Sequence, residues 1–588
     1  MAGAAAPKVT LREVYAWVKP ILGPERGFFW LAIVYGLGIS VLSLGLPVSV
    51  QLLINSIANT ALPAPLFTLA IVLFLLLALS GLLSVMRNHL MELYRRRFGA
   101  RLIADITLRA INADNPDFAD SQRIALFNRF FELVAVQKSI PTLLIGAFAL
   151  ILQGLVGFIV TSFYHPVFLA FNIVVVFSII VVFWIWSKGA MLTSIELSHK
   201  KYAASQWLES VGASDGFYKT ADHRAYAIAR SEDAAANYVK AHALHYGYTL
   251  PQTIALYFIY AAASAGLLAL GGWLVIQQQL SIGQLVAAEL ILAGVFLGIS
   301  QLSGYLDDFY KLVASVEELA LLYSVPQEQV TKSKGLRMLP GSVGGRSIQA
   351  VVNAGDLHFS NVTIQLPPGP AIVDFVIPKA SILVAQGPPN MERRIANLLK
   401  RQTRPETGLI AIGDVDICTL DAMMLRTEII VLDRPNIVEV SIEDYLKLAD
   451  PEAEPAAMLA TLRLVGLEDR ISMLPDGLQT VMSSSGYPLS VTKTMQVKLA
   501  AALLSRPEVL VLSPLFDMVP VQWLDKVFAH LRDGDTTLIY FSNRPEAVNA
   551  DGYLWLGPNQ QLIVPDRESF DALRRQAPPL TGAPQVIR

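Results

Sequence analysis

The stretch GFFWLAIVYGLGISVLSLGLPVSVQLLINSIANTALPAPLFTLAIVLFLLLALSGLLSVM, residues 27–86, contains no Asp, Glu, Lys or Arg. Two further stretches, residues 139–187 and 241–288, also lack these four residue types. A helix that crosses a bilayer needs about 20 apolar residues. Each stretch is therefore too long for one crossing and has the length of a helical hairpin, so the sequence predicts six transmembrane helices.

Short breaks rich in proline, glycine or polar residues divide the three stretches into helices. The predicted spans are about 28–56, 65–88, 139–162, 166–187, 248–276 and 281–306. This N-terminal half is predicted to be a membrane-embedded helical bundle, residues 1–325, with the lipid bilayer as its first partner.

The composition of the 588-residue chain agrees with a membrane protein. Charged residues make up 16% and hydrophobic residues 53% of the chain, whereas soluble domains have roughly 25% charged residues. The net charge of −2 gives no basic surface for nucleic acid. The single cysteine, Cys418, and the scattered histidines predict no metal site.

Basic residues occur at the N-terminus and between the apolar stretches, and are absent from the breaks inside them. Because cytoplasmic loops are enriched in Lys and Arg, this pattern predicts that both termini are cytoplasmic. The frequent Ala and Arg favour a bacterial inner membrane. The basic residues between stretches include Arg87, Arg95, Arg96, Arg97, Arg101, Arg109, Lys188, Lys200, Lys201 and Arg224.

Five polar residues lie within the apolar runs: Gln51, Asn55, Gln153, Asn172 and Glu289. An ionisable group inside a membrane is a functional hypothesis by default. Glu289, Asn55 and Gln51 are therefore candidates to line a substrate cavity. The alternatives are a hydrated carboxylate near the outer interface and amides that bond neighbouring helices.

After residue 318 the sequence changes character. A Gly-, Ser- and Lys-rich segment, residues 331–347, is followed by short apolar runs at 382–386, 429–432, 509–512 and 537–541. Helical patterns at 391–401, 455–465 and 491–505 separate them, which predicts an α/β fold with a mainly parallel sheet. The predicted divisions are a linker at 326–349, an α/β domain at 350–570 and a tail at 571–588.

Several segments resemble half-transporters of the ATP-binding cassette (ABC) exporter family. GGWLVIQQQLSIGQLVAAELIL (271–292) is similar to the connection between spans five and six, and ETGLIAIGDVDICTL (406–420) to the strand pair after the phosphate loop. LPDGLQTVMSSSGYPLS (474–490) and KLAAALLSRPEVLVL (498–512) resemble the approach to the signature motif and the run to the Walker B strand. The resemblance implies a six-span domain followed by a P-loop-type ABC nucleotide-binding domain.

The resemblance places the phosphate loop at GPPNMERRI, residues 387–395. Only Gly387 is kept, because Asn390 and Glu392 stand at glycine positions, and Arg393 and Arg394 at the Lys and Mg²⁺-hydroxyl positions. These five residues are the candidates for a degenerate nucleotide site.

Other family positions differ in the same way. The Walker B Asp-Glu pair is Ser513 and Pro514, the switch histidine is Asn543, and the signature is LSVTK (489–493), which keeps Ser490. The remaining departures are Asp433 for the glutamine after the third strand, Leu366 for the adenine-stacking aromatic residue and Pro520 for the dimer-loop Asp.

These departures predict no catalytic residue and no ATPase activity for the chain by itself. The first hypothesis is the non-catalytic half of a heterodimeric exporter, in which ATP binds only through a partner chain and Ser490 completes the partner's site. One alternative is a homodimeric membrane scaffold that recruits an envelope or secretion component. Another is a nucleotide sensor that binds through Arg393 and Arg394 without hydrolysis.

Overall fold

The structure is a computed structural model that describes residues 11–59, 64–113, 127–214, 216–328, 355–366, 369–420, 422–544, 548–557 and 560–576. It contains two compact units, and the boundary after the membrane helices falls between Gln327 and Glu328. The glycine-rich segment 331–347 and the chain after residue 576 lie outside the described residues.

The secondary-structure elements described in the N-terminal unit are helices. Its helices are α1 (Leu11–Leu22), α2 (Arg26–Leu42), α3 (Gly45–Asn59), α4 (Ala64–Ile111), α5 (Glu132–Thr142), α6 (Phe148–Ser162), α7 (Pro166–Gly212), α8 (Ala221–Ile276) and α9 (Ile282–Tyr323). Six segments of this unit are long and apolar enough to cross a membrane: Arg12–Ile54, Leu66–Ile111, Asn128–Ser162, Pro166–Gly212, Ala221–Ile276 and Ile282–Tyr323. The prediction of six membrane-crossing helices is thus confirmed in number, while the bounds of the individual spans stay a prediction.

Helices α4, α7 and α8 contain 48, 47 and 56 residues, about twice what a bilayer crossing needs. They therefore continue beyond the apolar layer. The family resemblance also implies two coupling helices, near 111–118 and 209–216. Residues 114–126, which include most of the first, lie outside the described residues. In the second, 209–216, α7 ends at Gly212, and Asp215 is outside the described residues.

The predicted breaks coincide with helix starts that have a local chemical cause. Ser281 Oγ accepts a hydrogen bond from the Gln284 amide at 3.1 Å, and Gln284 Oε1 accepts one from the Ser281 amide at 2.9 Å. This reciprocal capping box satisfies donors that a helix N-terminus leaves free. At the start of α7, Pro166 occupies the first helical position, where its missing N–H costs nothing.

The C-terminal unit contains two sheets. Its strands are β1 (Leu357–Leu366), β2 (Gly369–Ile377), β3 (Ile382–Gln386), β4 (Leu409–Ile412), β5 (Val415–Asp416), β6 (Ile429–Leu432), β7 (Val509–Leu512), β8 (Thr537–Phe541), β9 (Gly552–Leu556) and β10 (Gln561–Val564). The larger sheet has the order β10-β9-β3-β8-β7-β6, with β3 and β6 to β9 parallel. The four predicted strands coincide with β3, β6, β7 and β8.

The second sheet, of order β2-β1-β4-β5, is antiparallel. The family resemblance predicts the pair β4 and β5, whereas β1 and β2 are not among the strands that the apolar runs placed. Their side chains alternate between buried and exposed, so neither strand contains the continuous apolar run that marks a strand buried on both faces.

Helices cover the larger sheet and end the unit. They are α10 (Met391–Leu399), α11 (Ala422–Glu428), α12 (Ile442–Ala449), α13 (Pro455–Leu464), α14 (Glu468–Ser472), α15 (Val491–Ser505), α16 (Val521–Arg532) and α17 (Arg567–Gln576). Helix α17 crosses the predicted tail boundary at residue 570. Phe570, the last residue of the predicted α/β domain, is fully buried and packs against Tyr553 and Trp555. The helix continues from there to Gln576, within the predicted tail.

Candidate functional site

The loop that connects β3 to α10, residues 387–390, is the segment that the sequence resemblance matches to a phosphate loop. Pro388 and Pro389 have no N–H, and the Met391 N–H already donates to the Pro388 carbonyl at 3.1 Å. Asn390 has a left-handed φ of 70°. A phosphate cradle depends on several free backbone amides that point at one anion, and this loop offers few of them.

The first turn of α10 contains a carboxylate where an anion site needs positive charge. Glu392 is half-buried, and burial together with the nearby Asp433 raises its pKa to about 7, although Lys400 acts in the opposite direction. Arg393 and Arg394 follow and are both exposed to solvent. The structure thus brings the five predicted residues together, but only these two arginines are available to attract an anion.

The segment after β6 is attached to its surroundings by two lysines. Lys400 Nζ lies 2.5 Å from Asp433 Oδ2. Lys498 Nζ donates to the carbonyls of Arg434 and Asn436 at 2.5 and 3.0 Å, and burial lowers the pKa of Lys498. The sequence analysis singled out Asp433 but not these lysines, because their proximity depends on the packing of α10 and α15.

At the end of β7 lie Ser513 and Pro514, which the sequence resemblance matches to the Walker B pair. The Ser513 side chain is buried, and its Oγ has no hydrogen-bond partner among the described residues. Gln386 Oε1, at the end of β3, is likewise buried without a partner in that part of the chain. A neutral serine hydroxyl does not balance the charge of Mg²⁺ as a carboxylate does. Proline has no group that could accept a proton from an attacking water.

Asp517, four residues after Ser513, joins this segment to the strand that precedes Asn543. Its Oδ1 accepts hydrogen bonds from the Tyr540 hydroxyl at 2.5 Å and the Ser542 hydroxyl at 2.7 Å. Its Oδ2 accepts the Asn543 N–H at 2.9 Å. The sequence analysis did not single out Asp517, and its only sequence signal is a carboxylate close after a buried strand.

Ser490 lies immediately before α15, where its Oγ accepts a weak hydrogen bond from the Lys493 amide at 3.4 Å. The side chain is exposed, so its hydroxyl proton is free to donate to a group outside this chain. Val491 follows at the first helical position and is 45% exposed. The sequence resemblance matches this branched residue to a glycine of the ABC exporter signature.

Among the described side chains, no hydrogen bond or ion pair joins the candidates for a substrate cavity to one another. Gln51 Oε1 accepts a hydrogen bond from the Tyr164 hydroxyl at 2.7 Å. This contact agrees with the alternative that the amide bonds a neighbouring helical segment. Asn55 belongs to α3, but its side chain is outside the described part. Glu289 is half-buried, and its Oε2 has no hydrogen-bond partner among the described residues.

A second cluster of titratable groups occurs where α7 and α9 meet. One ligand atom each of His199, Glu317 and Glu318 lies within 4.8 Å of the others, a spacing that a metal ion would fit. Arg129 Nε, however, lies 3.2 Å from Glu318 Oε2. We therefore interpret the cluster as an ion-pair network in which Arg129 and His199 balance the two carboxylates.

No family model matches the chain. It is 29% identical over 248 residues to the alpha-hemolysin translocation ATP-binding protein HlyB of Escherichia coli, over 41% of this chain and 33% of that protein. It is 26% identical over 318 residues to an ABC multidrug transporter of Aspergillus fumigatus, over 52% of this chain and 38% of that protein. The chain thus spans about a third of the length of these relatives.

The fold is similar to that of a solved structure, a bacterial Atm1-family ABC exporter with ATP bound. The match covers 95% of this chain and 97% of the exporter chain, with a TM-score of 0.74 and 17% sequence identity. This likeness concerns the fold. The chain is an integral membrane protein with the fold of an ABC exporter half-transporter: six apolar helices followed by an α/β nucleotide-binding fold. Its relatives in sequence are ABC exporter and translocation ATP-binding proteins.

Proposed function

We propose that this chain is the non-catalytic half of an ABC exporter. It supplies six membrane helices, half of a translocation path and a dimer surface, while an intact partner half hydrolyses ATP. We also propose the domain limits 1–325, 326–349, 350–570 and 571–588, cytoplasmic termini and a bacterial inner membrane, all from the residue patterns described above.

The observation that supports the proposal most directly is the loop before α10. Pro388 and Pro389 provide no amide, and the Met391 amide is already bonded. Glu392 adds a carboxylate at the helix N-terminus, where a phosphate would need positive charge. A like-charge contact at 4 Å and an effective dielectric constant near 20 costs roughly 4 kcal/mol, which Arg393 and Arg394 offset only in part.

The hydrolytic groups are absent from the same site. Ser513 and Pro514 replace the Mg²⁺-assisting Asp and the water-activating Glu, and Asn543 replaces the switch histidine. Losing one electrostatic contributor typically lowers an enzymatic rate by about 10²–10³. With metal ligand, base and switch residue all replaced, hydrolysis at this chain's own site should be undetectable, even though such losses are not additive.

We favour a heterodimer because a homodimer would contain two sites that both lack the hydrolytic groups. In a heterodimer, the phosphate loop of an intact partner would face Ser490 of this chain. The exposed Ser490 hydroxyl supports a contact with the γ-phosphate, whereas Val491 and Thr492 narrow the approach that glycine permits. The shared site should consequently work, but below the rate of a site with a complete signature.

The first test is native mass spectrometry of the complex purified from its own membrane in mild detergent. A mass equal to this chain plus a different half-transporter supports the proposal, and a mass of two identical chains contradicts it. ATPase activity of the purified pair is then measured with Ser490→Ala and, as a matched control, Ser472→Ala. Ser472 is an exposed serine whose hydroxyl bonds only its own helix at the Glu468 carbonyl.

Ser490→Ala should lower the ATPase activity of the pair, while Ser472→Ala should leave it unchanged. Partner activity that does not depend on this chain, or on Ser490, would contradict a shared site. The purified chain without its partner should show no hydrolysis above background.

The second candidate function is a homodimeric scaffold that uses the cassette fold without nucleotide. The contacts of Lys400, Lys498 and Asp517 favour it. These contacts fix the segments around the candidate site by hydrogen bonds and ion pairs within the chain, so no nucleotide is needed to order them. ATP-dependent transport by the chain alone would exclude this function. A native homodimer that binds no nucleotide, together with a co-purifying envelope or secretion component, would favour it.

A further inference from the structure

A cleft of about 440 Å³ lies where the end of α4 meets the end of α9 and the turn that follows α1. Pro20, Pro24 and Leu108 form its apolar walls, and the Leu108 side chain is 58% exposed. Ligand sites in proteins are clefts of roughly 300–1,000 Å³. The cleft therefore has room for a small organic molecule, and none of the site residues predicted from the sequence lines it.

The charged residues that the structure describes in the lining are two arginines and one carboxylate: Arg101, Arg109 and Asp105. Asp105 Oδ2 accepts hydrogen bonds from Arg101 Nη1 at 2.9 Å and from the Tyr323 hydroxyl at 3.0 Å. Arg101 also donates to Glu25 Oε1 at 3.1 Å and to a main-chain carbonyl of α1. The charges of Arg101 and Asp105 thus offset one another within the protein.

Arg109 differs from Arg101, because no carboxylate among the described residues pairs with it. Its Nη1 donates to the Tyr323 carbonyl at 3.1 Å, and its Cζ lies 4.2 Å from the centroid of the Tyr323 ring. A guanidinium has five N–H groups, and this carbonyl is the one acceptor that the described part of the chain gives to Arg109. The ring contact fixes the plane of the guanidinium, so the remaining donors are held in place.

The cleft consequently has more hydrogen-bond donors than acceptors. Asn112, which is exposed, adds a side-chain amide at the rim. The Gln327 amide is already used, since its Nε2 donates to the carbonyls of Arg109 and Val325 at 3.3 and 3.0 Å. A ligand that complements these groups carries negative charge and several acceptor oxygens. A phosphate monoester has both properties and can accept two parallel hydrogen bonds from one guanidinium.

We propose that this cleft binds a small phosphate monoester, with Arg109 as the residue that holds the phosphate. The ligand is either a soluble phosphorylated metabolite or the headgroup of a phospholipid such as phosphatidic acid, because both present this chemistry. An occupant would contact α4, the end of α9 and the turn after α1, and so stabilise their packing. This binding needs neither nucleotide hydrolysis nor a partner chain, so its test is independent of the proposed function.

The test measures binding to the full-length protein in a non-ionic detergent by isothermal titration calorimetry. The probes are glycerol phosphate and dioctanoyl phosphatidic acid, and the matched ligands without phosphate are glycerol and dioctanoylglycerol. At least one probe should bind about tenfold or more tightly than its matched ligand, since hydrogen bonds to charged groups are the strong ones.

Substitutions then locate the site. Arg109→Gln should weaken binding of the probe by about tenfold or more. Arg96→Gln is the matched control, because Arg96 is an exposed arginine of the same helix that pairs with Glu92, and it should bind as the wild type does. Asn112→Asp places a negative charge at the exposed rim, where a substitution has little effect on folding, and it should also weaken binding.

The proposal is overturned if neither probe binds more tightly than its matched ligand, or if Arg109→Gln binds as tightly as the wild type. If Arg109→Gln does not fold, Asn112→Asp decides in its place, and an unchanged affinity in that variant overturns the proposal.

The two probes also distinguish the two sources of the ligand. Binding of glycerol phosphate shows that the phosphate monoester alone is recognised and identifies a soluble ligand. Binding of dioctanoyl phosphatidic acid without binding of glycerol phosphate identifies the headgroup of a phospholipid.

Discussion

The ammonium nitrogen of Lys400 lies 2.5 Å from Oδ2 of Asp433, and this ion pair joins the end of α10 to the end of β6. Both side chains are less than a fifth exposed. The sequence resemblance matches Asp433 to a polar glutamine of the ABC exporters. In this chain the Asp433 carboxylate pairs with Lys400, so the segment after β6 is fixed by a contact within the protein and needs no nucleotide.

Removing one member of the Lys400–Asp433 pair should destabilise the protein. Asp433→Asn leaves Lys400 without its counter-charge, and we expect a loss of about 1–2 kcal/mol in the free energy of unfolding, less than for a fully buried pair. Chemical unfolding of the full-length protein in detergent measures it. Lys447→Ala, which breaks an exposed pair with Glu443, is the control and should have no measurable effect. Equal effects of the two variants would contradict the prediction.

The raised pKa of Glu392 should make stability depend on pH. Its pKa is about 7 in the folded chain and 4.5 without the protein environment. Between these values the folded state binds more protons than the unfolded state, so the free energy of unfolding falls as pH rises. The contribution is about 1 kcal/mol after allowance for solvent screening of a half-buried group.

Glu392→Gln removes this titration. It should therefore be more stable than the wild type at pH 8, with the difference disappearing near pH 5. Thermal unfolding of the full-length protein at a series of pH values is the measurement. Glu454→Gln, at an exposed position before α13, should give the same pH profile as the wild type. A Glu392→Gln advantage that persists unchanged at pH 5 would show that the carboxylate does not titrate in this range.

Asp517 should control the local stability of the segment around Asn543. Asp517→Ala removes the acceptor of three hydrogen bonds, from Tyr540, Ser542 and the Asn543 amide. Because hydrogen bonds to charged groups are stronger than neutral ones, we expect a loss of about 2–3 kcal/mol and faster hydrogen exchange at the Asn543 amide. Tyr540→Phe removes one bond only and should leave the Asn543 amide protected. Unchanged exchange in Asp517→Ala would refute the assignment.

The contact between Gly146 and Tyr305 should limit side-chain size inside the membrane unit. A Cβ atom at Gly146 would lie 2.3 Å from Tyr305 Cε1, which forces the ring to move. Gly146→Ala should cost about 1–3 kcal/mol, as expected for overpacking, measured by thermal unfolding in detergent. Gly81→Ala is the matched control, because a Cβ there meets nothing within 4 Å. Combining Gly146→Ala with Tyr305→Ala should recover part of the loss.

The sequence predicted the secondary structure of this chain well because the signals are local. Long charge-free stretches define the membrane helices, and the apolar runs at 382–386, 429–432, 509–512 and 537–541 define β3, β6, β7 and β8. Strands β1 and β2 were missed by this approach, since half of their side chains face solvent. The composition of the candidate nucleotide site was also readable, because the residues of a loop and the first turn of its helix are contiguous.

The sequence by itself determined the class of fold and the order of its parts, and it predicts that the chemical groups of the resembled family are replaced along the chain. Tertiary structure decided which polar groups meet. Lys400 and Asp433 are 33 residues apart, and Asp517 and Asn543 are 26 apart, so no local pattern predicts their contacts. The contact of Arg109 with Tyr323, 214 residues away, is of the same kind. An arginine in this basic part of α4 has the same sequence signature whether it reaches the solvent or lies over an aromatic ring, and only helix packing distinguishes the two.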